Sequence, residues 1–165
     1  MRTNKFLHTA CLWAMLGITA LQVNAASEAV RVKSIAQVEK SVVDKDGNKT
    51  RKRVPVERAI PATEVIYTTT FENITVTPVG NVVIDNPIPN NSAYRADSAF
   101  GKGFDIQFST DTGRKYAQAA QLTVRGADGK ERLALPTEYT NIRWTHRGPL
   151  PAGGAGEVGF RAVIN

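Results

Sequence analysis

The sequence has 165 residues, 42% of them hydrophobic and 22% charged, with a formal net charge of +6 and a single cysteine. That length can bury one core, which limits the chain to a single domain with an added arm. The lone Cys11 excludes a disulfide framework and leaves the chain beyond it without a thiol for a metal centre or a nucleophile.

Arg2 and Lys5 precede an apolar stretch from Leu12 to Leu21, and Val23-Asn24-Ala25 puts compact residues at the two positions a signal peptidase reads. The pattern predicts a secretory signal peptide, residues 1–25, cut after Ala25 with Ala26 as the next site. The stretch is shorter than the ~20 residues needed to span a hydrocarbon core, so no transmembrane span is expected once the signal is removed. The expected address is the periplasm or the cell surface. Cys11 would leave with the signal, so disulfides are not expected there even though export permits them.

Removing Arg2 and Lys5 takes the formal charge from +6 to +4. Nine basic residues lie between Arg31 and Arg58 against four acidic ones, whereas ten basic residues meet ten acidic ones from Ala59 onward. The positive charge therefore belongs to an N-terminal arm, residues 26–59, and suits an acidic partner or an anionic envelope surface. A solvated face is the ordinary use of such a charge run.

Within the arm, Val30, Val32, Ala36, Val38 and Val42 share one parity and polar residues hold most of the other, which predicts a half-buried strand over Ala29–Val43. Asp44-Lys45-Asp46-Gly47-Asn48 has the small polar and glycine residues of a turn, and Thr50–Glu57 returns as a second strand. The arm is thus expected to be a long basic β-ribbon. Asp44, Asp46 and Asn48 have alternate oxygen-bearing side chains, but a calcium loop of the EF-hand kind needs a bidentate Glu at its twelfth place, where Pro55 stands.

Pro61 separates the arm from the body, residues 60–165. Val65, Tyr67, Thr69 and Phe71 alternate with Ile66, Thr68, Thr70 and Glu72, predicting a strand with one packed face. Asn81–Asp85 follows after Pro78 and Gly80, and the two are expected to be neighbouring strands. Asn86-Pro87-Ile88-Pro89 forms a rigid exit, because prolines cannot sit in a central ladder. Phe104, Ile106 and Phe108 alternate with polar residues in a further strand. Lys115–Val124 reads as a loop or short helix, and Asp128-Gly129 turns between Leu122-Val124 and Leu133-Leu135. Tyr139, Ile142 and Trp144 precede a glycine-rich connection into the final period-two run of Val158, Phe160, Ala162 and Ile164. Many short strands and no long 3.6-period helix predict an all-β antiparallel sandwich.

The segments VIYTTTFEN (65–73), NVVIDNPIP (81–89), IRWT (142–145) and PLPAGGAGEVGFRAVI (149–164) resemble the bacterial cell-envelope and surface conserved-repeat domain family, a domain of unknown function. The resemblance covers roughly residues 60–165 and implies an immunoglobulin-like sandwich, with Asn73, Asp85 and Pro89 as turn and strand-end markers rather than catalytic groups. Family members carry tandem copies in large surface proteins, whereas this chain has room for one, and the basic arm lies outside the matching segments.

Chemical signatures are sparse. His146 is the one histidine after residue 25, and the chain contains no G-x-S-x-G elbow, no H-E-x-x-H and no phosphate-binding glycine loop. Acid-base hydrolysis of a glycan would require Glu72 and Asp85, at the ends of the two expected neighbouring strands, or another close acidic pair, to converge on one cleft. An isopeptide link between a Lys and an Asn would suit a cysteine-free sandwich, but the sequence identifies no such contact. Nucleic acid is not an expected partner, since the basic run lacks interleaved aromatics. No catalytic residue, metal or cofactor is expected. The favoured expectation is a non-enzymatic exported protein acting in assembly or adhesion through Lys33, Lys40, Lys45, Lys49, Arg51, Lys52 and Arg53. The alternative is a glycan- or small-component-binding module using Tyr94, Tyr116 and Tyr139 in a groove beside Arg95, Arg143 or Arg147.

Overall fold

The computed structural model describes residues 29–58 and 60–165, and the expected signal peptide with Cys11 lies outside them. Its strands are β1 (Val30–Val43), β2 (Lys49–Pro55), β3 (Glu64–Asn73), β4 (Val83–Pro87), β5 (Ser92–Tyr94), β6 (Phe100–Gly101), β7 (Phe104–Ser109), β8 (Thr123–Arg125), β9 (Glu131–Leu133), β10 (Asn141–His146) and β11 (Ala155–Ile164). Every pairing between them is antiparallel, so the fold is all-β. The first sheet has the order β2-β1-β3-β11-β5, with β6 also pairing β11; the second is β4-β10-β7; β8 and β9 form a separate hairpin.

The two larger sheets share one hydrophobic core. Phe71, Val158, Phe160 and Ala162 of the first sheet meet Ile84, Phe104, Phe108, Ile142 and Trp144 of the second. Aromatic pairs cross the interior: Phe71 sets its ring edge-on to Phe104 at 5.2 Å between centroids, and Trp144 lies 6.3 Å from Phe160. Such pairs add to the burial of large apolar surfaces. The indole N–H of Trp144 donates to the carbonyl of Phe100 at 3.0 Å, which satisfies the one polar atom of a fully buried ring.

The sequence predicts β3 and β4 as neighbours, and the structure corrects this. β3 pairs with β1 and β11, whereas β4 pairs with β10 in the other sheet. The chain therefore crosses between sheets after Asn73. That residue secures the crossing: its amide nitrogen donates to the carbonyls of Thr77 at 2.8 Å, Leu150 at 3.1 Å and Pro151 at 2.9 Å, and its oxygen accepts from the Thr75 amide and hydroxyl. Alternation in β3 also differs from expectation, because Val65 and Ile66 are both 1% exposed and Thr68 and Thr69 are both buried. In β1 the reverse holds: Val32, on the face expected to be half-buried, is 52% exposed. The second sheet, with three strands, does not extend far enough to cover it.

Lys115–Val124 forms turns rather than a helix before it enters β8, and the Asp128-Gly129 turn joins β8 to β9 as the residues predict.

Replacing Asn73 by Ala removes one donor from each of three carbonyls, which keep their bonds from the Thr75 hydroxyl, the Val79 amide and the Gly154 amide, and takes away the side-chain acceptor of the Thr75 amide. We expect a loss of about 1–3 kcal/mol of stability in urea unfolding, from the lost hydrogen bonds.

Candidate functional site

β1 and β2 form the expected hairpin, but only part of it stands clear of the body. Val30–Gln37 of β1 pairs with β3, and Gln37–Val43 pairs with β2. The turn is set by Asp44, whose carboxylate accepts the amides of Asp46 at 2.9 Å and Asn48 at 2.8 Å, and these backbone bonds hold its pKa below the usual value. Gly47 takes φ = 84°, the left-handed conformation that glycine adopts without strain.

The cations predicted for binding divide between two faces. Side chains directly opposite one another in a sheet point the same way. Lys40 stands opposite Lys52, on the β1 face that carries Val38 and Val42. Lys49, Arg51 and Arg53 stand opposite Val43, Ser41 and Glu39 on the other face, which also carries Lys33 along β1. Lys45 lies in the turn. Among the described residues, Arg51 is the one member of this set with an ion pair, 3.7 Å from Glu39. That carboxylate is shared with Arg161 of β11 at 2.8 Å, whose bond, opposed by partial desolvation, holds the Glu39 pKa low. Arg161 in turn reaches Glu64 at 2.6 Å, and Glu64 also accepts from Arg95. Burial raises the Glu64 pKa, but the bonds from Arg161 and Arg95 outweigh it and the net shift is downward. This ladder fastens the root of the hairpin across four strands; beyond it Lys40, Lys45, Lys49 and Lys52 make no ion pair among the described residues, although Asp44 and Asp46 lie in the turn.

The three tyrosines do not share a site. Tyr94 and Tyr139 are 4% and 7% exposed and belong to the core, a correction to their expected position at a surface groove. They stack with centroids 5.6 Å apart and line a cavity of about 370 Å³ with Asp97, Gln118 and Pro136. Tyr116 lies elsewhere, on the outer face of the second sheet, with the Arg143 guanidinium 3.7 Å over its ring and its hydroxyl donating to Asp85. Arg95, Arg143 and Arg147 are each paired with an acid, Glu64, Asp85 and Asp105, so none of them stands free beside the Tyr94 and Tyr139 cavity.

Glu72 and Asp85 are also separated. Glu72 pairs with Arg31 on the first sheet, and Asp85 sits among Tyr116, Asn141 and Arg143 on the second. Their expected convergence depended on β3 and β4 being neighbours. Among the described residues no cluster of three His, Cys, Asp or Glu residues could hold a metal ion, and no helix is long and apolar enough to cross a membrane.

Sequence reasoning missed the flank between β1 and β4. There Ser34 and Thr69 share a hydrogen bond of 2.8 Å, and Asn86 donates to Thr69 at 2.9 Å, linking β1, β3 and β4 in one chain. These groups, with Ala36, Tyr67, Pro87 and Phe160, line a cavity of about 320 Å³. A second cavity of about 330 Å³ lies among Val30, Val32, Val79, Val82 and Ile84. The available signal was Asn86 sharing the parity of Val82 and Ile84, which marks it as an inward-facing polar residue.

No family model matches the chain, and no curated protein matches it.

Burial, followed by the bond to the Asp85 carboxylate, pushes the Tyr116 pKa up to about 12 from an ordinary 10.0. Because the folded pKa is raised, the stabilisation is complete below pH 10.0 and is lost as pH rises through about 12. In an ultraviolet phenolate titration, Tyr116→Phe should remove one tyrosine's amplitude from the step near pH 12; an unchanged step would refute the assignment.

Proposed function

We propose that the protein is a non-enzymatic, exported component of the bacterial envelope that acts in protein assembly or adhesion, with its basic hairpin as the contact surface. The resemblance in residues 60–165 and the two sheets sharing one core favour an immunoglobulin-like sandwich as the scaffold. The signal-like N-terminus favours a periplasmic or surface address.

One observation carries this reading: Lys40 and Lys52 are directly opposed across the hairpin, and neither has an ion-pair partner among the described residues. Like charges in that position are destabilising. Lys45 and Lys49 add to the same tip, again without an acid within ion-pair distance among the described residues, and Arg53 stands opposite Glu39 nearer the root. A carboxylate-rich protein surface would relieve this repulsion on binding, and the association should weaken as salt rises. Because the cations occupy both faces, the partner meets the tip and edge of the hairpin rather than one flat face.

A second reading rests on the cavity beside Tyr94 and Tyr139. Its stacked rings, with Asp97 and Gln118 at the wall, have the mixed character of a small glycan-component site.

The test is a cross-linking pull-down from native envelopes, comparing the wild type with K49Q/R51Q/K52Q/R53Q. The neutralised protein should retain its unfolding midpoint and lose at least one reproducible protein partner. Retention of every partner by the neutralised variant refutes the hairpin mechanism; binding of envelope saccharide that is abolished by Gln118→Ala, at an exposed position of the cavity wall, with the unfolding midpoint retained would establish the second reading.

A further inference from the structure

The two larger sheets are unequal in width, and two cavities succeed one another as a cleft along one flank. β4 is an edge strand of its sheet. The amide of Ile88 donates to Thr140, and the amide of His146 donates to Val82, so the even-numbered residues from Val82 to Ile88 are the ones bonded to β10. The amides and carbonyls of Val83 and Asp85, with the carbonyl of Pro87, consequently point away from the sheet, and no backbone partner for them occurs among the described residues. Pro87 lacks an N–H, so this free ladder is short.

β1 forms the roof of the cleft. Its Val30, Val32, Ser34 and Ala36 succeed one another along the cavities whose opposite walls are Val82, Ile84, Asn86 and Pro87. β1 and β4 therefore run in the same direction along the cleft. Val32 and Val83, at 52% and 49% exposed, are large apolar side chains at its mouth. The same face of β1 continues through Val38 to Lys40, which is opposed by Lys52. An apolar cleft with unpaired strand hydrogen bonds thus leads directly to the uncompensated lysines.

We propose that this cleft receives an extended segment of a partner protein, which adds to β4 as an antiparallel strand. The segment would have alternating apolar residues, facing Val30, Val32 and Ala36, preceded on its N-terminal side by acidic residues that meet Lys40 and Lys52. The order follows from direction: a strand antiparallel to β4 enters beside Pro87 and Ala36, nearest the lysines, and ends beside Val82 and Val30. Main-chain bonds supply binding, while the alternate apolar side chains and the acids select the sequence. This inference rests on the assembly reading and supplies the class of partner, but it moves the hydrogen-bonding edge from the hairpin to β4.

The test uses a fluorescein-labelled peptide of two glutamates followed by four Val-Thr repeats, with a second peptide carrying the glutamates at its C-terminal end. Fluorescence polarisation with the purified protein should show binding that favours the first peptide, and hydrogen exchange should show slowed amides at Val83 and Asp85. Val83→Pro removes an outward N–H and should weaken binding at least tenfold. Val32→Arg, at a solvent-exposed position, should do the same while retaining the unfolding midpoint. K40Q/K52Q should abolish the preference between the two peptides. Full binding by both Val83→Pro and Val32→Arg, or unprotected Val83 and Asp85 amides in the bound state, would overturn the cleft as the site. If K49Q/R51Q/K52Q/R53Q nevertheless lost its envelope partner, the assembly reading would survive that result. Concentration-dependent self-association that displaces the peptide and disappears in Val83→Pro would identify a second copy as the occupant and overturn the acidic partner.

Discussion

β3 has no free edge. It pairs with β1 from Val30 to Gln37 on one side and with β11 from Ala155 to Val163 on the other, and this double pairing fixes the sheet order. The contact with β11 is close: a Cβ on Gly159 would stand 2.4 Å from the Tyr67 carbonyl oxygen and 2.7 Å from the Phe100 ring. Glycine at this position lets the backbone and the Phe100 ring approach without displacement. On the opposite face of the same pair, Tyr67 and Phe160 stack with centroids 5.0 Å apart. The aromatic core and its covered outer face thus depend on one strand interface.

The strand β1 serves two structures in succession. Its first half completes the sheet beside β3, and its second half leaves the body to pair with β2. The ion-pair ladder of Arg51, Glu39, Arg161, Glu64 and Arg95 lies where these halves meet. Exposed pairs contribute little individually, so the ladder is better understood as fixing the direction in which the hairpin leaves than as a main source of stability. Beyond it, four lysines on β2, the turn and the end of β1 make no ion pair among the described residues. In the body, where the charges balance, Arg143, Arg147 and Arg132 are held in local pairs with Asp85, Asp105 and Glu138, whereas Arg114 and Arg125 make no ion pair among the described residues. The excess of positive charge therefore lies along the hairpin rather than in the body.

The flank below β1 belongs to the same geometry. A five-strand path faces a three-strand sheet, so β1 overhangs β4 and its valines remain accessible. The hydrogen-bond chain from Ser34 through Thr69 to Asn86 holds that overhang at a fixed distance from β4. Polar side chains inside such a cleft keep one another bonded, whereas the backbone edge and the exposed valines hold the remaining capacity for binding.

Local chemistry was legible in the chain. Asp44 to Asn48 specified its turn because a short carboxylate can accept amides two and four residues on. The runs around Phe104 and Phe160 specified strands because side chains alternate between faces at period two. The concentration of cations before Ala59 likewise required no fold to be seen. Partner choice was not legible, because a period of two is the same whichever strand lies alongside. Thus β3 and β4 read as neighbours although they occupy different sheets, and Glu72 and Asp85 read as a pair although they face different surroundings. Tyr94, Tyr116 and Tyr139 are chemically identical, yet two are core residues and one lies under an arginine. The sequence alone determined turns, strand periodicity and charge distribution, all of which depend on near neighbours; tertiary structure decided pairing, burial and the cleft, because these depend on which distant backbone groups satisfy one another's hydrogen bonds.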